Sequence, residues 1–328
     1  YYRALKKLTL SKKAVKKVGK KISLVYTPVH GSGFVPVTHM LKKIGIHATL
    51  VEEQVAKDPD FSTVQVPNPE FKETLSMGIA LADKIHADVV FGTDPDCDRL
   101  GVAIRNDKGE FEALTGNQTG ILLLDYILQR LKAENKLPAN GVVVKSFVST
   151  GMAKLICNNY GVELVETPVG FKFIGEQIGF LEADGEVDRY IFGFEESYGY
   201  LSGGHVRDKD GVNASLLICE MFAHYKAMGI SLVQMLNQLY EKYGYFKEAL
   251  QSITFEGASG AKKMSDLMES LRTNAPKEVA GYKVIDVKDY KAGIGNLPKS
   301  NVLEFNMEDD INVLVRPSGT EPKIKMYY

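Results

Sequence analysis

Three carboxylates at alternate positions, Asp94, Asp96 and Asp98, stand in the run Gly92-Thr93-Asp94-Pro95-Asp96-Cys97-Asp98-Arg99. Oxygen donors spaced in this way converge on a hard dication such as Mg²⁺, and without one they repel each other. Two rival loops fail on the residues themselves. A calcium loop counted from Asp94 wants Gly at its sixth position and Glu at its twelfth, and finds Arg99 and Arg105. A phosphatase-type Asp-x-Asp loop usually continues with Thr or Val, and here Asp98 follows. A solvated acidic turn is the plainer alternative. Cys97 offers a soft thiolate that suits zinc or copper, so it reads as a bystander.

Three further loops carry functional groups. In Gly193-Phe194-Glu195-Glu196-Ser197-Tyr198-Gly199-Tyr200 two acids and a hydroxyl sit among glycines, which suits a ligand bearing several hydroxyls. Lys209 lies in a cluster of cations and acids ahead of a helix, where Asp210 reads as the N-cap. In Arg316-Pro317-Ser318-Gly319-Thr320-Glu321-Pro322 an arginine fork, two hydroxyls and a glycine turn make an oxyanion clamp. An ordinary polar loop and a plain hairpin turn are the alternatives for the first and last. His30 and His39 read as structural. Neither Gly-x-Gly-x-x-Gly nor Gly-x-x-x-x-Gly-Lys-Ser/Thr occurs, so a phosphate grip falls to the loop at 316–322.

The elements that must position these loops repeat one pattern. Residues 21–27 predict a strand, 28–33 a loop, then a helix to about Ile44, Gly45, and a strand at 48–52. Residues 142–147 predict a strand, 148–151 a loop, then a helix to about Tyr160, Gly161, and a strand at 162–166. Strand, loop, helix, glycine and strand make a parallel βαβ crossover. The first copy continues with a Pro-rich loop at 58–69, a helix to about Ala87, and strands at 88–93, 100–105 and 111–114. The second continues with a helix after Gly170, a strand at 190–194, a Gly-rich loop, and helices at 211–228 and 232–243. From Tyr245 onward strands near 246–255, 282–287, 302–305, 311–315 and 324–328 surround one helix at 261–273. The fold class is therefore α/β, two similar mixed domains with βαβ units followed by a smaller α+β domain.

Composition narrows the function. Of 328 residues, 45% are hydrophobic and 25% charged, with 40 Lys plus Arg against 41 Asp plus Glu. That balance is globular and argues against a dedicated nucleic-acid binder. No apolar run approaches the roughly 20 residues that span a bilayer. Three scattered cysteines point to a reducing compartment. Residues 1–21 hold Arg3, Lys6, Lys7, Lys12, Lys13, Lys16, Lys17, Lys20 and Lys21 and no acid. These read as a solvated helix face, with a polyanion-binding arm or an acidic neighbour upstream as alternatives. The chain starts on Tyr1 and ends abruptly on a strand, which predicts a fragment.

In this order, Thr93-Asp94-Pro95-Asp96-Cys97-Asp98-Arg99, Glu195-Glu196-Ser197-Tyr198-Gly199 and Arg316-Pro317-Ser318-Gly319-Thr320-Glu321-Pro322 resemble the motif set of the α-D-phosphohexomutase family, in its phosphoglucomutase branch. The resemblance spans almost the whole chain and implies four domains around a central cleft. Residues 1–114 resemble the second domain, 115–243 the third, and 244–328 most of the fourth. The resemblance implies Mg²⁺ on Asp94, Asp96 and Asp98, and catalytic roles for Arg99, near the transferring phosphoryl, and Lys209. It implies that Gly170, Phe171 and Lys172 orient the sugar and that Glu195 and Ser197 hold its hydroxyls. Arg316, Ser318, Gly319 and Thr320 would hold the non-reacting phosphate.

The implied enzyme is cytoplasmic and interconverts hexose 1-phosphate and hexose 6-phosphate, with glucose 1,6-bisphosphate as activating intermediate. Glucose, mannose, glucosamine and pentose phosphates all stay open as substrates. The family's phosphoserine lies in a Thr-Ala-Ser-His-Asn-Pro segment of the first domain, which this sequence does not contain. The missing N-terminal domain is then the partner, and the chain alone is expected to be inactive. A stand-alone sugar-phosphate-binding module and a hydrolase using Asp94 as nucleophile are the competing readings.

Overall fold

The computed structural model describes every residue except 256, 258, 295–297 and 319–321. The chain forms two compact units, Tyr1–Tyr245 and Phe246–Tyr328. The first opens with two short helices, α1 (Tyr2–Lys7) and α2 (Lys12–Val18). Leu5, Val15 and Val18 are buried, while all nine cations of this stretch are exposed, so the basic run is a solvated face.

The first sheet is built from β1 (Leu24–Thr27), α3 (Phe34–Ile44), β2 (Ala48–Leu50), α4 (Ser76–Lys84), β3 (Val89–Thr93), β4 (Leu100–Arg105) and β5 (Phe111–Ala113). Its strand order is β2-β1-β3-β4-β5. β2, β1 and β3 run parallel, in the register Leu24↔Ala48 and Leu24↔Val89, and β4 and β5 return antiparallel. β1 begins later than residue 21 because Gly19–Lys21 is a single 3₁₀ turn.

Next come α5 (Gly116–Ala133), β6 (Val142–Ser146), α6 (Met152–Tyr160), β7 (Glu163–Thr167), α7 (Phe171–Ala183), β8 (Tyr190–Glu195), β9 (Gly199–Ser202), α8 (Gly211–Met228) and α9 (Leu232–Tyr243). The second sheet has the order β7-β6-β8-β9, again with three parallel strands and an antiparallel return. The first crossover helix of each sheet ends on a left-handed glycine, Gly45 (φ 86°) after α3 and Gly161 (φ 70°) after α6. Their N–H groups close back on the carbonyls of the last turn, as a helix C-terminus needs.

Besides the short strand at Glu278–Val279, two elements depart from the sequence reading. α5 went unpredicted because Ile121, Leu122, Leu123, Leu124, Tyr126, Ile127 and Leu128 are all buried, and a helix buried all round shows no amphipathic period. β9 occupies part of the stretch read as a Gly-rich loop. α8 joins the two halves of this unit: it packs on α2, α3 and β4 on one side and on α5 and β9 on the other. Among the described residues no single helix is long and apolar enough to cross a membrane.

The second unit contains β10 (Leu250–Thr254), α10 (Gly260–Thr273), β11 (Glu278–Val279), β12 (Tyr282–Asp289), β13 (Leu303–Met307), β14 (Asn312–Pro317) and β15 (Lys323–Tyr327). All neighbours in the order β10-β15-β14-β13-β12-β11 are antiparallel. Met268 of α10 packs on Leu303, Phe305, Val315 and Ile324, which gives the small sheet its core.

Candidate active site

The turn from β3 to β4 is held by Asp94. Its Oδ1 accepts the backbone N–H groups of Asp98 (3.1 Å) and Arg99 (2.9 Å), and its carbonyl accepts that of Cys97 (3.0 Å). Cys97 takes the left-handed conformation at φ 62° that the tight turn requires. The loop rests on the one after β1: Ser32 N donates to Pro95 O at 2.7 Å, and a Cβ on Gly31 would lie 2.5 Å from Pro95. A Cβ on Gly33 would lie 2.9 Å from Cys97 Sγ. The Gly-Ser-Gly segment therefore serves close backbone packing. Burial pushes the Cys97 thiol up to about 12, which agrees with its reading as a bystander.

Each of Asp94, Asp96 and Asp98 offers an oxygen within 4.8 Å of the others'. Asp94 is buried, and its carboxyl is pushed up to about 7 by burial and by the charges of Asp98 and Asp96, against the hydrogen bond from Arg99 N–H. Among the described residues, Asp98 Oδ1 is buried without a hydrogen-bond partner. Convergent carboxylates, a raised acid and an unpartnered oxygen are what a bound hard cation relieves, so these residues fit a dication.

Arg99 extends along the triad, its Nη1 3.2 Å from Glu70 Oε1 and its Nε 3.5 Å from Asp94 Oδ2. Lys209 Nζ pairs with Asp98 Oδ2 at 2.9 Å and Asp208 Oδ1 at 3.2 Å. Burial works against its charge, but the hydrogen bonds and charges of Asp98 and Asp208 outweigh it and raise the ammonium above its ordinary value. The lysine stem runs over Gly199, where a Cβ would lie 2.3 Å from its Cδ.

The β8–β9 turn meets the metal loop directly. Leu100 N donates to Tyr198 O at 3.1 Å, Arg99 bridges Gly199, and Gly211 N donates to Cys97 O at 3.0 Å. Tyr198 is left-handed at φ 66°. Glu195 is buried, and its Oε1 accepts Gly170 N at 2.7 Å. Burial first, then the charge of Glu196, push its carboxyl up to about 7, opposed by Gly170 N–H and Lys209. Glu196 instead holds the loop after β6, accepting Ser146 Oγ at 3.0 Å. Ser197 is half-buried.

Asp94, Asp96, Asp98, Arg99, Lys209, Glu195 and Gly170 thus form one connected cluster of contacts. Phe171 lies in the core of the second sheet, with Lys209 Nζ 5.8 Å above its ring, and Lys172 is exposed. Arg316 and Ser318 belong to the second unit. Arg316 stands across from Lys325, its Nη1 buried without a hydrogen-bond partner among the described residues, and Ser318 N donates to Lys323 O at 2.7 Å. Gly319 and Thr320 lie outside the described residues. Asp210 caps α8 as predicted, accepting from Val212 N and Asn213 N. Both ring nitrogens of His30 have protein partners, Ala56 O and Thr63 Oγ1. Sequence reasoning missed Glu70, whose only signal is its place directly after Pro67-Asn68-Pro69.

An acidic loop hydrogen-bonded to a carboxylate-and-hydroxyl loop, on two α/β sheets that share the order of their first four strands, defines the class. Residues 1–109 match the family model described as phosphoglucomutase/phosphomannomutase, alpha/beta/alpha domain II, and residues 115–243 match that for domain III. The phosphoglucomutase of Staphylococcus aureus (strain USA300) is 37% identical over 93% of this chain and 56% of its own length. The chain thus spans little more than half of such relatives. The crystal structure of pp63/parafusin (phosphoglucomutase) from Paramecium, in its open form, superposes with TM-score 0.72 at 21% identity, covering 99% of this chain and 56% of that one. N-acetylphosphoglucosamine mutase of Aspergillus fumigatus, in complex with GlcNAc-6P and magnesium, superposes with TM-score 0.55 at 15% identity, over 98% of this chain and 61% of that one. The chain belongs to the phosphoglucomutase/phosphomannomutase family.

Proposed function

We propose that this chain carries the metal loop, the sugar loop and the non-reacting phosphate clamp of a phosphoglucomutase. The enzyme interconverts hexose 1-phosphate and hexose 6-phosphate through a phosphoserine outside these residues, with glucose 1,6-bisphosphate as the intermediate. Residues 1–114, 115–243 and 244–328 act as its second, third and fourth domains. The observation that carries this reading is the Lys209–Asp98 pair at 2.9 Å, which links the cation-binding acids to the sugar loop.

Asp94, Asp96 and Asp98 would hold a dication, Mg²⁺ by its preference for oxygen donors, which would supply positive charge to offset that of the phosphoryl group in transfer. Arg99 offers its free guanidinium N–H groups to that phosphoryl. Lys209 sets a cation between the acids and the sugar loop. Glu195 spends Oε1 on Gly170 N and keeps Oε2 for a sugar hydroxyl, with Ser197 Oγ beside it in sequence. Arg316, Ser318, Gly319 and Thr320 hold the phosphate that is not reacting, which sits on either end of the sugar as the bisphosphate turns over. Asp94 suits a nucleophile poorly, since its Oδ1 already accepts two backbone N–H groups.

The test is calorimetry of the 328-residue chain with glucose 1,6-bisphosphate and Mg²⁺, alongside a coupled assay for glucose 6-phosphate from glucose 1-phosphate. Binding without turnover is expected. No binding removes the sugar-phosphate reading, and turnover removes the placement of the nucleophile outside the chain.

A further inference from the structure

Three carboxylates surround Arg99, and they hold it unequally. Nη1 donates to Glu70 Oε1 at 3.2 Å. Nε stands 3.5 Å from Asp94 Oδ2 and 3.8 Å from Asp98 Oδ1, and it is buried without a hydrogen bond to either. The directed bond of the guanidinium therefore goes to an acid outside the metal triad.

Glu70 reaches that place through a loop built to present it. Pro69 packs against Gly101 of β4, where a Cβ would approach Pro69 Cβ to 2.6 Å. Asn68 Oδ1 accepts Glu70 N at 3.0 Å, and Thr74 Oγ1 donates to Val66 O and Asn68 O. Leu75 at the end of the loop lies over Gly92 of β3, where a Cβ would come within 2.3 Å of Leu75 Cδ2. Both ends of the segment are thus anchored on the two strands that flank the metal turn.

An arginine released from Glu70 would be drawn to Asp94 and Asp98. Arginine–carboxylate pairs are strong and frequently bidentate, and such a pair would occupy the oxygens a cation needs. We propose that Glu70 is a positioning residue: it holds the Arg99 guanidinium off Asp94 and Asp98, which keeps the triad open to a dication and Arg99 turned toward an anion. This rests on the triad being the metal site proposed above.

The test is Mn²⁺ binding to the 328-residue chain, followed by the loss of the free-ion paramagnetic resonance signal, for a cycle of four proteins: the natural chain, Glu70→Gln, Arg99→Met and both together. Glu70→Gln should weaken Mn²⁺ binding roughly three- to ten-fold when Arg99 is present. In the Arg99→Met background the same change should alter it less than about two-fold, because no guanidinium is left to restrain. A residue that only supported the loop, or only added distant negative charge, would weaken binding alike in both backgrounds, and that result overturns the proposal. So does a natural affinity retained in Glu70→Gln. Failure of the natural chain to bind Mn²⁺ overturns the metal reading itself and this inference with it. If Glu70→Gln melts early, Glu70→Asp, which keeps the charge one methylene short, replaces it in the cycle with the same two expectations.

Discussion

The β3–β4 turn and the β8–β9 turn occupy the same place in two sheets that share the order of their first four strands, and each leaves the C-terminal end of the third parallel strand. Each carries a buried acid pushed up to about 7, Asp94 in one and Glu195 in the other. Each contains one non-glycine residue in the left-handed region, Cys97 and Tyr198. Their chemistry parts at the remaining side chains. In the first turn Asp96 and Asp98 converge with Asp94 within 4.8 Å, a spacing for a cation. In the second the neighbouring acid turns away, and Glu196 accepts Ser146 Oγ while Glu195 takes Gly170 N. One backbone frame thus yields a metal loop or a hydrogen-bonding loop, according to whether its carboxylates point at each other or at donors.

The largest difference should appear in metal binding. Asp98→Asn removes a ligand charge from the triad and should weaken Mn²⁺ by at least about 100-fold, the scale for breaking a buried charged contact. Glu195→Gln should change it less than about three-fold, since only the distant charge is lost. Paramagnetic titration of the two variants side by side would break the comparison if both lost the metal equally.

The second difference is in pH dependence. Glu195 rises from an ordinary 4.5 to about 7 in the folded chain, chiefly through burial. A group whose pKa is raised on folding gives stability that is complete below the unfolded value and is lost as pH climbs through the folded one. Between pH 4.5 and about 7, then, Glu195 should cost the natural chain about 3 kcal/mol of stability. Glu195→Gln keeps an acceptor for Gly170 N and loses that slope. Urea midpoints at pH 5 and pH 8 should therefore spread further in the natural chain than in the variant, and equal spreads would mean that folding leaves the Glu195 carboxyl unshifted.

The convergence of Asp94, Asp96 and Asp98 was legible in sequence because the three lie within five consecutive residues, so that their spacing largely sets their geometry. Glu195 stood out through its place beside Glu196 and Ser197, but its bond to Gly170 N, 25 residues away, could not be read from spacing. Glu70 was not: it meets Arg99 only after Pro69 packs against Gly101 and Leu75 over Gly92, contacts that no local pattern encodes. The βαβ halves could be read from strand, helix and glycine order. α5 escaped because total burial erases the period on which such a reading depends, although its capping box, Thr115 with Gln118, was present as a start signal. The glycines at 31, 33, 199 and 211 serve the close approach of one loop to another, a task that depends on contacts distant in sequence.

That task separates a third pair of effects. Gly211 lies on the seam between the two turns, where an added Cβ would come within 2.7 Å of Cys97 O, a backbone atom that cannot swing aside. Gly211→Ala should cost about 1–3 kcal/mol by overpacking and should weaken Mn²⁺ binding as the Asp98 turn shifts. A variant with natural stability and natural metal affinity would show that the two turns are not mechanically joined.

The smallest effects concern the frame the two halves share. Gly45 and Gly161 both end crossover helices at positive φ, with open space where a Cβ would point. Alanine at either position meets no clash, so its cost is the left-handed backbone alone, about 1 kcal/mol after the gain from a stiffer unfolded chain is set against it. Gly179 also has open space, but it sits inside α7 with ordinary helical backbone, and alanine there should stabilise by roughly 0.5–1 kcal/mol. Denaturant midpoints of the three single variants separate conformation from space: equal losses at 45 and 161 with a gain at 179 are expected. A large loss at only one of the two capping glycines would mean that the crossovers, alike in strand order, do not end their helices by the same device.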